Sequence, residues 1–451
     1  MVDSSRNKTG PLVSVLIPTF NRRQTLPTAL SSVLNQEYDN LEVIVVRDGG
    51  PEVADIVESF EDPRVVFIDR RDNWGKARSL NQALQSANGK YVAYLDDDDL
   101  YYPNHVSTLV DCLEKNPEYH VAYSDLYRTY CRVQPDGSRE VLSKVLEVSR
   151  DFDRFVMLYF NHILHVSLMH RRDLLDKTGP YNENLDVLID WDFTRRASFF
   201  SDAYHTCEIT GEYFSPVGDS DRLSVIRRRD RDSYLWNVLQ IRTSRPPKPW
   251  PKMDDVSIIL NAQSLDRRAK ETLLSIWRHT FYPYKVYLAL PEVEIAELDT
   301  EMPNIVPVPV VANQTQTRPI DRVLAVCDGD YTAVVPAGFP IRELWLEESL
   351  YSLVNGSAGH KALELEGSTD SLWAVVVKTA ELQQARAAFP DLSIRDCLNA
   401  FGVTVGRVSP EDIPFQFDQT LAQARLAGQQ NDWRRAAGIF EYAAENYGND
   451  L

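Results

Sequence analysis

The sequence has few cysteines and no long apolar run, and each absence excludes a class of protein. Five cysteines occur among 451 residues, widely spaced and without a CxxC pair, which argues against a disulfide framework and a structural zinc site. No stretch of about 18 apolar residues is present to span a bilayer. The first residues, MVDSSRNKTG, lack the apolar region of a signal peptide. We therefore expect a cytoplasmic protein, with peripheral attachment to the inner face of a membrane left open.

Basic residues are also scarce relative to acidic ones. The chain has 48 Lys and Arg against 66 Asp and Glu, a formal net charge of −18. Such a surface repels polyanions, so nucleic acid is not an expected partner. GxGxxG does not follow the first predicted strand and GxxxxGK is absent, which disfavours a dinucleotide oxidoreductase and a P-loop enzyme. An aspartate-based phosphatase or nucleotidyltransferase stays open on these grounds.

What is present is an alternation of short apolar runs and segments of helical spacing. The length exceeds one ordinary core, so two or three domains are expected. Helical spacing runs over Gln24–Leu34 and Lys76–Ser86. This alternation predicts an α/β fold with a mostly parallel sheet. The runs predicted as strands buried on both faces are Val13–Ile17, Leu41–Val46, Val65–Ile68, Tyr91–Leu95 and Val121–Tyr123.

Carboxylates follow three of these predicted strands. Asp48 comes after the second, Asp69 after the third and Asp96–Asp99 after the fourth. Parallel sheets bind ligands at the carboxyl ends of their strands. Four consecutive aspartates repel one another, and a divalent cation shared with a phosphate would relieve that repulsion. Asp96 and Asp98 should share one face if strand geometry continues; a solvated acidic loop is the alternative.

Four blocks of the sequence resemble the inverting family 2 glycosyltransferases of the GT-A fold. They are VSVLIPTFNR, VVRDGG, NWGKARSLNQAL and GKYVAYLDDDDLYYPNHV, in the order of that family, and the likeness covers residues 11–225. The resemblance implies a mostly parallel nucleotide-diphospho-sugar transferase sheet. It also implies a nucleoside-diphosphate sugar as donor and Mn²⁺ or Mg²⁺ as cofactor.

The resemblance also implies roles for single residues. Asp48 would accept hydrogen bonds from the base, and Arg78 would contact the nucleotide or its diphosphate. Asp96 and Asp98 match the DxD motif, in which the first aspartate holds ribose or sugar hydroxyls and the second ligates the metal. The residues assigned to the nucleotide sugar are Thr19, Asn21, Arg22, Asp48, Arg78, Asp96 and Asp97, and the metal ligand is Asp98.

A later segment, Val187–Phe193, resembles the family motif that ends in Glu-Asp-Trp-Asp and carries the general base. Asp190 matches the catalytic aspartate, although Ile189 stands where the family has glutamate. Asp192 is the competing candidate, with a helix-start carboxylate as its other interpretation. Trp191 is a candidate acceptor platform or a core residue.

Two further features bear on the metal and the diphosphate. The additional histidine ligand of many relatives has no counterpart near Tyr213–Pro216, so water or phosphate would complete the coordination. The cluster Arg227–Arg229 would either help neutralise the leaving diphosphate or form a solvated face.

The apolar pattern of the first domain recurs after a proline-dense segment, Ser244–Pro251. Val13–Ile17 reappears as Val256–Leu260, which predicts an internal duplication. Asp48 falls on Pro291 and the four aspartates fall on Pro336–Phe339, so the second copy should be non-catalytic. The predicted domains are a catalytic GT-A domain over 1–245, a linker over 246–253, a degenerate GT-A-like domain over 254–410 and a tetratricopeptide-like or ordinary helical tail over 411–451.

Together these features predict a metal-dependent inverting glycosyltransferase. It would move a sugar to a hydroxyl of a glycan, lipid-linked or protein acceptor in bacterial-type surface polysaccharide or glycoconjugate synthesis. Asp48 suggests a pyrimidine base, with guanosine diphosphate left open. The second domain or the tail is where oligomer or partner contacts are expected. The alternative is a non-catalytic carbohydrate-binding or scaffold protein built on two transferase-like domains.

Overall fold

The computed structural model describes residues 10–146, 149–159, 161–217, 231–296, 304–310, 318–356 and 359–408. Internal contacts divide the chain into two units, Met1–Met253 and Asp254–Leu451. The predicted tail over 411–451 and the arginine cluster over 227–229 lie outside the described residues. No helix in the described part of the chain has both the length and the apolar character needed to cross a membrane.

One mixed sheet forms the centre of the first unit. Its order is β3-β2-β1-β4-β8-β6-β9-β5, and β7 pairs with the outer part of β6. Strands β1 to β4 run parallel, whereas β8 runs antiparallel to both of its neighbours. The described strands are β1 (Val13–Thr19), β2 (Leu41–Asp48), β3 (Val65–Arg70), β4 (Tyr91–Tyr94), β5 (Leu100–Tyr101), β6 (Val121–Val133), β7 (Arg139–Leu146), β8 (Leu168–Arg171) and β9 (Ala203–Pro216).

Amphipathic helices cover this sheet. Leu26, Leu30 and Val33 of one helix pack into the same core cluster as Val13 and Val15 of β1, which is the helical spacing that buries one face. This packing fixes the strands so that their carboxyl ends meet along one rim. The described helices are α1 (Leu26–Leu34), α2 (Ala54–Glu58), α3 (Lys76–Ser86), α4 (His105–Lys115), α5 (Arg154–Tyr159), α6 (Leu175–Thr178), α7 (Ile189–Ala197) and α8 (Arg231–Thr243).

The predicted α/β class with a mostly parallel sheet is confirmed, and α3 has the predicted bounds. The prediction that all five strands are buried on both faces is wrong for β3, where Val66 is 41% exposed. β3 is the edge strand of the sheet, so no neighbour covers its outer side. Strand β6 is longer than predicted, since its second half forms a hairpin with β7.

The second unit contains a second mixed sheet of order β12-β11-β10-β13-β15-β14-β16. Its described strands are β10 (Val256–Asn261), β11 (Tyr284–Leu290), β12 (Ile305–Pro309), β13 (Tyr331–Pro336), β14 (Ala362–Glu364), β15 (Val375–Lys378) and β16 (Val405–Arg407). Its described helices are α9 (Arg267–His279), α10 (Glu292–Ala296), α11 (Pro319–Val326), α12 (Trp345–Asn355), α13 (Thr379–Ala388) and α14 (Ile394–Ala400).

The duplication predicted from the sequence is confirmed by topology and by one equivalent hydrogen bond. The order β3-β2-β1-β4 is repeated as β12-β11-β10-β13, and an antiparallel strand follows each set. In the first unit Gly89 N donates to Ser14 Oγ at 2.9 Å. In the second, Gly329 N donates to Ser257 Oγ at 3.0 Å. The two units therefore share a scaffold.

Candidate active site

The four consecutive aspartates alternate between two environments. Asp97 and Asp99 are buried. Asp97 accepts from Phe20 N, just after β1, at 3.1 Å, and Asp99 accepts from Phe214 N, in β9, at 2.8 Å. Burial above all, and then the charge of Asp98, raises the pKa of Asp97 to about 8. Asp96 and Asp98 are partly exposed. The backbone alternation thus leaves these two carboxylates at the open rim.

Three of these carboxylates come close together. One oxygen each of Asp96, Asp98 and Asp99 lies within 4.8 Å of the others, the geometry of a group that can share a cation. Arg22 lies near them, with its Nε 3.8 Å from Asp98 Oδ2. Hard divalent cations prefer oxygen ligands of this kind. The chemistry and the spacing both fit Mg²⁺ or Mn²⁺.

Lys76, at the start of α3, joins this group and was missed in the sequence analysis. Its Nζ lies 2.6 Å from Asp96 Oδ1. Burial works against the charged form, but the carboxylates of Asp96, Asp190 and Asp98 together raise the pKa of Lys76 above its ordinary value. The ammonium therefore stays charged and offsets part of the repulsion among the carboxylates. The only sequence signal was its place in the NWGKAR block.

Asp48, the last residue of β2, builds the loop before α3. Its two carboxylate oxygens accept from Trp74 N at 2.9 Å and Gly75 N at 2.8 Å. The indole of Trp74 is 58% exposed, and the guanidinium of Arg70 lies 4.2 Å from its ring centre. The carboxylate that the resemblance assigns to the base therefore holds the backbone of a loop that exposes an aromatic ring.

The loops after β1 and β2 are shaped by unusual backbone conformations. Asn21 has a φ of 59°, and Gly49 has a φ of 76°. A Cβ on Gly49 would lie 2.8 Å from Asn73 N, so glycine permits both the turn and the close approach of the loop before α3. Thr19, the last residue of β1, is buried beside this turn.

Asp190 lies in the first turn of α7, where its carboxylate is partly buried. Asn161 Nδ2 donates to Asp190 Oδ2 at 2.8 Å. Burial raises the pKa of Asp190, and the positive charge of Lys76 opposes the rise. Lys76 therefore connects Asp190 electrostatically with the carboxylate group.

The neighbours of Asp190 have structural partners. Asp192 is fully buried, and its Oδ2 accepts from Arg196 Nε at 2.9 Å and from Nη2 at 2.7 Å. The indole of Trp191 is buried and donates to Met157 O at 2.8 Å. Asp190 is thus better placed than Asp192 to reach a ligand, and Trp191 belongs to the core.

Two arginines near the rim differ in what they contact. Arg78 lies on α3 and pairs with Glu183, Nε to Oε2 at 3.1 Å, with both side chains about half exposed. Arg139, at the start of β7, donates to the carbonyl oxygen of Asp98 at 2.6 Å and lies over the ring of Phe214. Arg139 therefore holds the aspartate loop, although its sequence context gave no signal of this contact.

A groove of about 770 Å³ lies between α3 and the segment from β8 to α6. Lys90 and Arg171 line it at the start of β4, the end opposite the aspartates. None of the assigned site residues lines the groove. The rim carboxylates form a site distinct from it.

The first part of the chain is similar in sequence to known glycosyltransferases. Residues 14–171 match the family model described as glycosyl transferase family 2. An uncharacterized glycosyltransferase of Rickettsia prowazekii is 29% identical over 212 residues, which are 44% of this chain and 63% of the relative. A protein of Escherichia coli provisionally named colanic acid biosynthesis glycosyl transferase WcaA is 38% identical over 106 residues, which are 23% of this chain and 38% of the relative. The chain thus spans less than two thirds of each relative.

Among solved structures, the 1–349 fragment of S. aureus TarS in complex with UDP-GlcNAc aligns with a TM-score of 0.39 and 19% identity. The alignment covers 47% of this chain and 60% of that chain. The matched family residues run from β1 to the end of β8 and include all four consecutive aspartates. Within the first unit, the segment from β1 to the end of β8 is therefore similar to glycosyl transferase family 2.

Proposed function

We propose that the chain is a metal-dependent inverting glycosyltransferase that uses a nucleoside-diphosphate sugar. The observation that carries the proposal is the group formed by Asp96, Asp98 and Asp99 at the rim of the family 2 domain. Lys76 connects this group with Asp190, which supplies a candidate base in the same site. A scaffold protein that binds no cation would gain nothing from holding these carboxylates together.

Asp98 is the proposed metal ligand, with the Asp96 and Asp99 oxygens beside it. When bound, the divalent ion would stabilise negative charge on the departing diphosphate. Arg22 lies next to Asp98 and would add positive charge on the side of the phosphates. The histidine found in many relatives is missing, so water or phosphate oxygens would complete the coordination.

The nucleotide would lie along the loops after β1 and β2. We assign Asp48 and the exposed ring of Trp74 to the base, because Asp48 ends β2 and accepts from the backbone nitrogen of Trp74. The ribose and the sugar hydroxyls are assigned to Asp96. The diphosphate is assigned to Arg78, in the first turn of α3. The remaining assigned residues, Thr19, Asn21 and Asp97, shape these loops from buried or strained positions.

In the proposed reaction the acceptor oxygen attacks the anomeric carbon from the face opposite the diphosphate. The new carbon–oxygen bond forms as the bond to the diphosphate oxygen breaks, which inverts the configuration. Asp190 takes the proton of the acceptor hydroxyl. Its raised pKa brings it closer to the working range of a general base than an exposed aspartate would be.

The second unit is proposed to be catalytically silent. Pro336 ends β13 where the first unit has its aspartate loop, and Phe339 is buried. Arg318, the counterpart of Arg78, donates to the carbonyl oxygens of Leu392 and Asp391. These contacts support the view that this rim serves packing, and partner or oligomer contacts stay assigned to this unit or to the tail.

The acceptor is proposed to be a glycan, lipid-linked or protein hydroxyl in surface polysaccharide or glycoconjugate synthesis. The Escherichia coli relative is named for colanic acid biosynthesis, and this name supports a role in a biosynthetic transfer. All five cysteines are free thiols, which supports the cytoplasmic location predicted from the sequence.

The test is hydrolysis and transfer assayed across UDP-, dTDP- and GDP-sugars, in Mn²⁺, in Mg²⁺ and in EDTA. We expect turnover with one nucleotide class that EDTA abolishes and Asp98→Ala removes. Asp136→Ala, in the exposed turn of the β6–β7 hairpin, is the matched control and should keep full turnover. Metal-dependent nucleotide binding that survives Asp98→Ala while turnover is lost would count against a silent second unit. Nucleotide binding without turnover on any donor would favour the scaffold alternative.

A further inference from the structure

Asn161 lies between α5 and β8, and both ends of its amide have a defined partner. Its Oδ1 accepts from Ile163 N at 3.1 Å, and its Nδ2 donates to Asp190 Oδ2 at 2.8 Å. A backbone N–H can only donate, so the bond from Ile163 fixes which end of the amide is oxygen. The end that faces Asp190 is therefore the donor, and a carboxylate beside it is the matching acceptor.

The segment carrying Asn161 is tied to the helix that carries Asp190. Trp191 Nε1 donates to Met157 O at 2.8 Å, which anchors α7 to α5. On the other side of Asn161, His165 Nε2 is 2.8 Å from Tyr181 Oη, and that histidine is buried against the ring of Tyr94. The contact between Asn161 and Asp190 is thus held from both sides rather than made by a loose loop.

The positive charge that acts on Asp190 comes from Lys76, at the start of α3. Lys76 is itself bound to Asp96 at 2.6 Å, so its position follows the aspartate loop. Asn161 has no charge of its own and contacts neither aspartate of the DxD motif in the described hydrogen bonds. Its effect is directed at Asp190.

We propose that Asn161 is a positioning residue for the general base: it holds Asp190 Oδ2 and thereby sets the rotation of the carboxylate toward the acceptor hydroxyl. The inference rests on the proposed function, because it takes Asp190 as the base. Among the described hydrogen bonds, none joins Asn161 to a residue assigned to the donor, so its loss should lower kcat and leave the KM for the donor little changed.

Two substitutions distinguish the hydrogen bond that Asn161 donates to Asp190 from the one that it accepts from Ile163 N. Asn161→Asp keeps an oxygen to accept from Ile163 N but replaces the donor with a second carboxylate oxygen, whereas Asn161→Ala removes both bonds. Because the lost hydrogen bond is made to a charged group, we expect kcat to fall about 10- to 100-fold in both variants. Asn35→Ala, which removes an exposed amide at the end of α1, is the control and should leave kcat unchanged.

A double-mutant cycle distinguishes positioning from a general structural role. If Asn161 works through Asp190, then Asn161→Ala should have no further effect on kcat once Asp190→Asn is present. Additive losses, a change confined to KM, or unchanged kcat in both Asn161 variants would overturn the inference.

A second measurement does not depend on turnover. The carboxyl ¹³C resonance of Asp190, identified by its loss in Asp190→Asn, should move in Asn161→Asp and stay in place in Asn35→Ala. A moved resonance with no transferase activity in the wild-type protein would sink the proposed function while the contact stands. An unmoved resonance would refute the positioning role whatever the activity.

Discussion

Replacing Lys76 by methionine tests whether its ammonium offsets the negative charge of the clustered aspartates when no metal is bound. The change keeps most of the side-chain volume but removes the ammonium 2.6 Å from Asp96 Oδ1. Opposite unit charges 4 Å apart attract by about 4 kcal/mol at an effective dielectric constant of about 20. Solvent reaches both groups, since each is more than a quarter exposed, and screening reduces the net value to about 1–2 kcal/mol. We expect the free energy of unfolding in metal-free buffer to fall by that amount.

The same substitution should have the opposite effect on metal binding. The ammonium competes with a cation for Asp96 and repels it, so Lys76→Met should lower the Kd for Mn²⁺ about tenfold, equivalent to about 1.4 kcal/mol. Because a ligand that binds the native state stabilises it, saturating Mn²⁺ should restore most of the lost stability.

Calorimetric titration with Mn²⁺ and thermal unfolding with and without the ion measure both effects. Lys115→Met removes an exposed pair with Asp111 on α4 and should change neither quantity. Weaker Mn²⁺ binding by Lys76→Met, or a stability loss that Mn²⁺ does not reverse, would refute the balance described for this site.

Three further outcomes are expected. Asp98→Ala should abolish metal-dependent nucleotide binding yet unfold at the wild-type temperature in metal-free buffer, because a rim carboxylate supports no core packing; retained turnover would exclude it as a ligand. Asp190→Asn should lower kcat by about 10²–10⁴-fold. Since burial raises the pKa of Asp190 and the base must be unprotonated, wild-type kcat should fall as the pH drops through a value above about 4; a limb at or below that value would contradict the role of burial. Gly89→Ala and Gly329→Ala each place a Cβ 2.6 Å from a serine backbone nitrogen, so each should destabilise its own unit by about 1–3 kcal/mol. Calorimetry that shows no loss of stability in either variant would disprove the structural equivalence of the two glycine–serine contacts.

Local sequence patterns were enough to predict much of the fold and the position of the rim. The run at Val13–Ile17 lies within a strand that does have buried neighbours on both sides, and α3 begins and ends where its spacing predicts. The alternation of Asp96 and Asp98 with their buried neighbours also follows from backbone geometry alone. These features depend on residues close together in the chain.

The contacts that complete the site join segments far apart in the sequence, so local patterns do not predict them. Arg139 reaches Asp98 from a hairpin whose register is set by pairing with β6, and Asn161 reaches Asp190 from the segment before β8. Neither residue lies in a motif, because each is brought to the site by packing between distant segments. The exposure of β3 was missed for the same reason, since strand order decides which strand forms the edge.

The hydrogen bond between Gly89 and Ser14 in the first unit has an equivalent between Gly329 and Ser257 in the second. The two units of this chain can therefore be compared with each other, position by position. Where the two copies keep the same residues and the same hydrogen bond, as here, the geometry of the strands and their connecting turns requires those residues. Where the two copies differ, as at Asp98 and its counterpart Gly338, the residue in the first copy is not required by the shared strand scaffold. Residue-by-residue exchange between the copies can therefore separate the requirements of folding from those of chemistry within a single polypeptide.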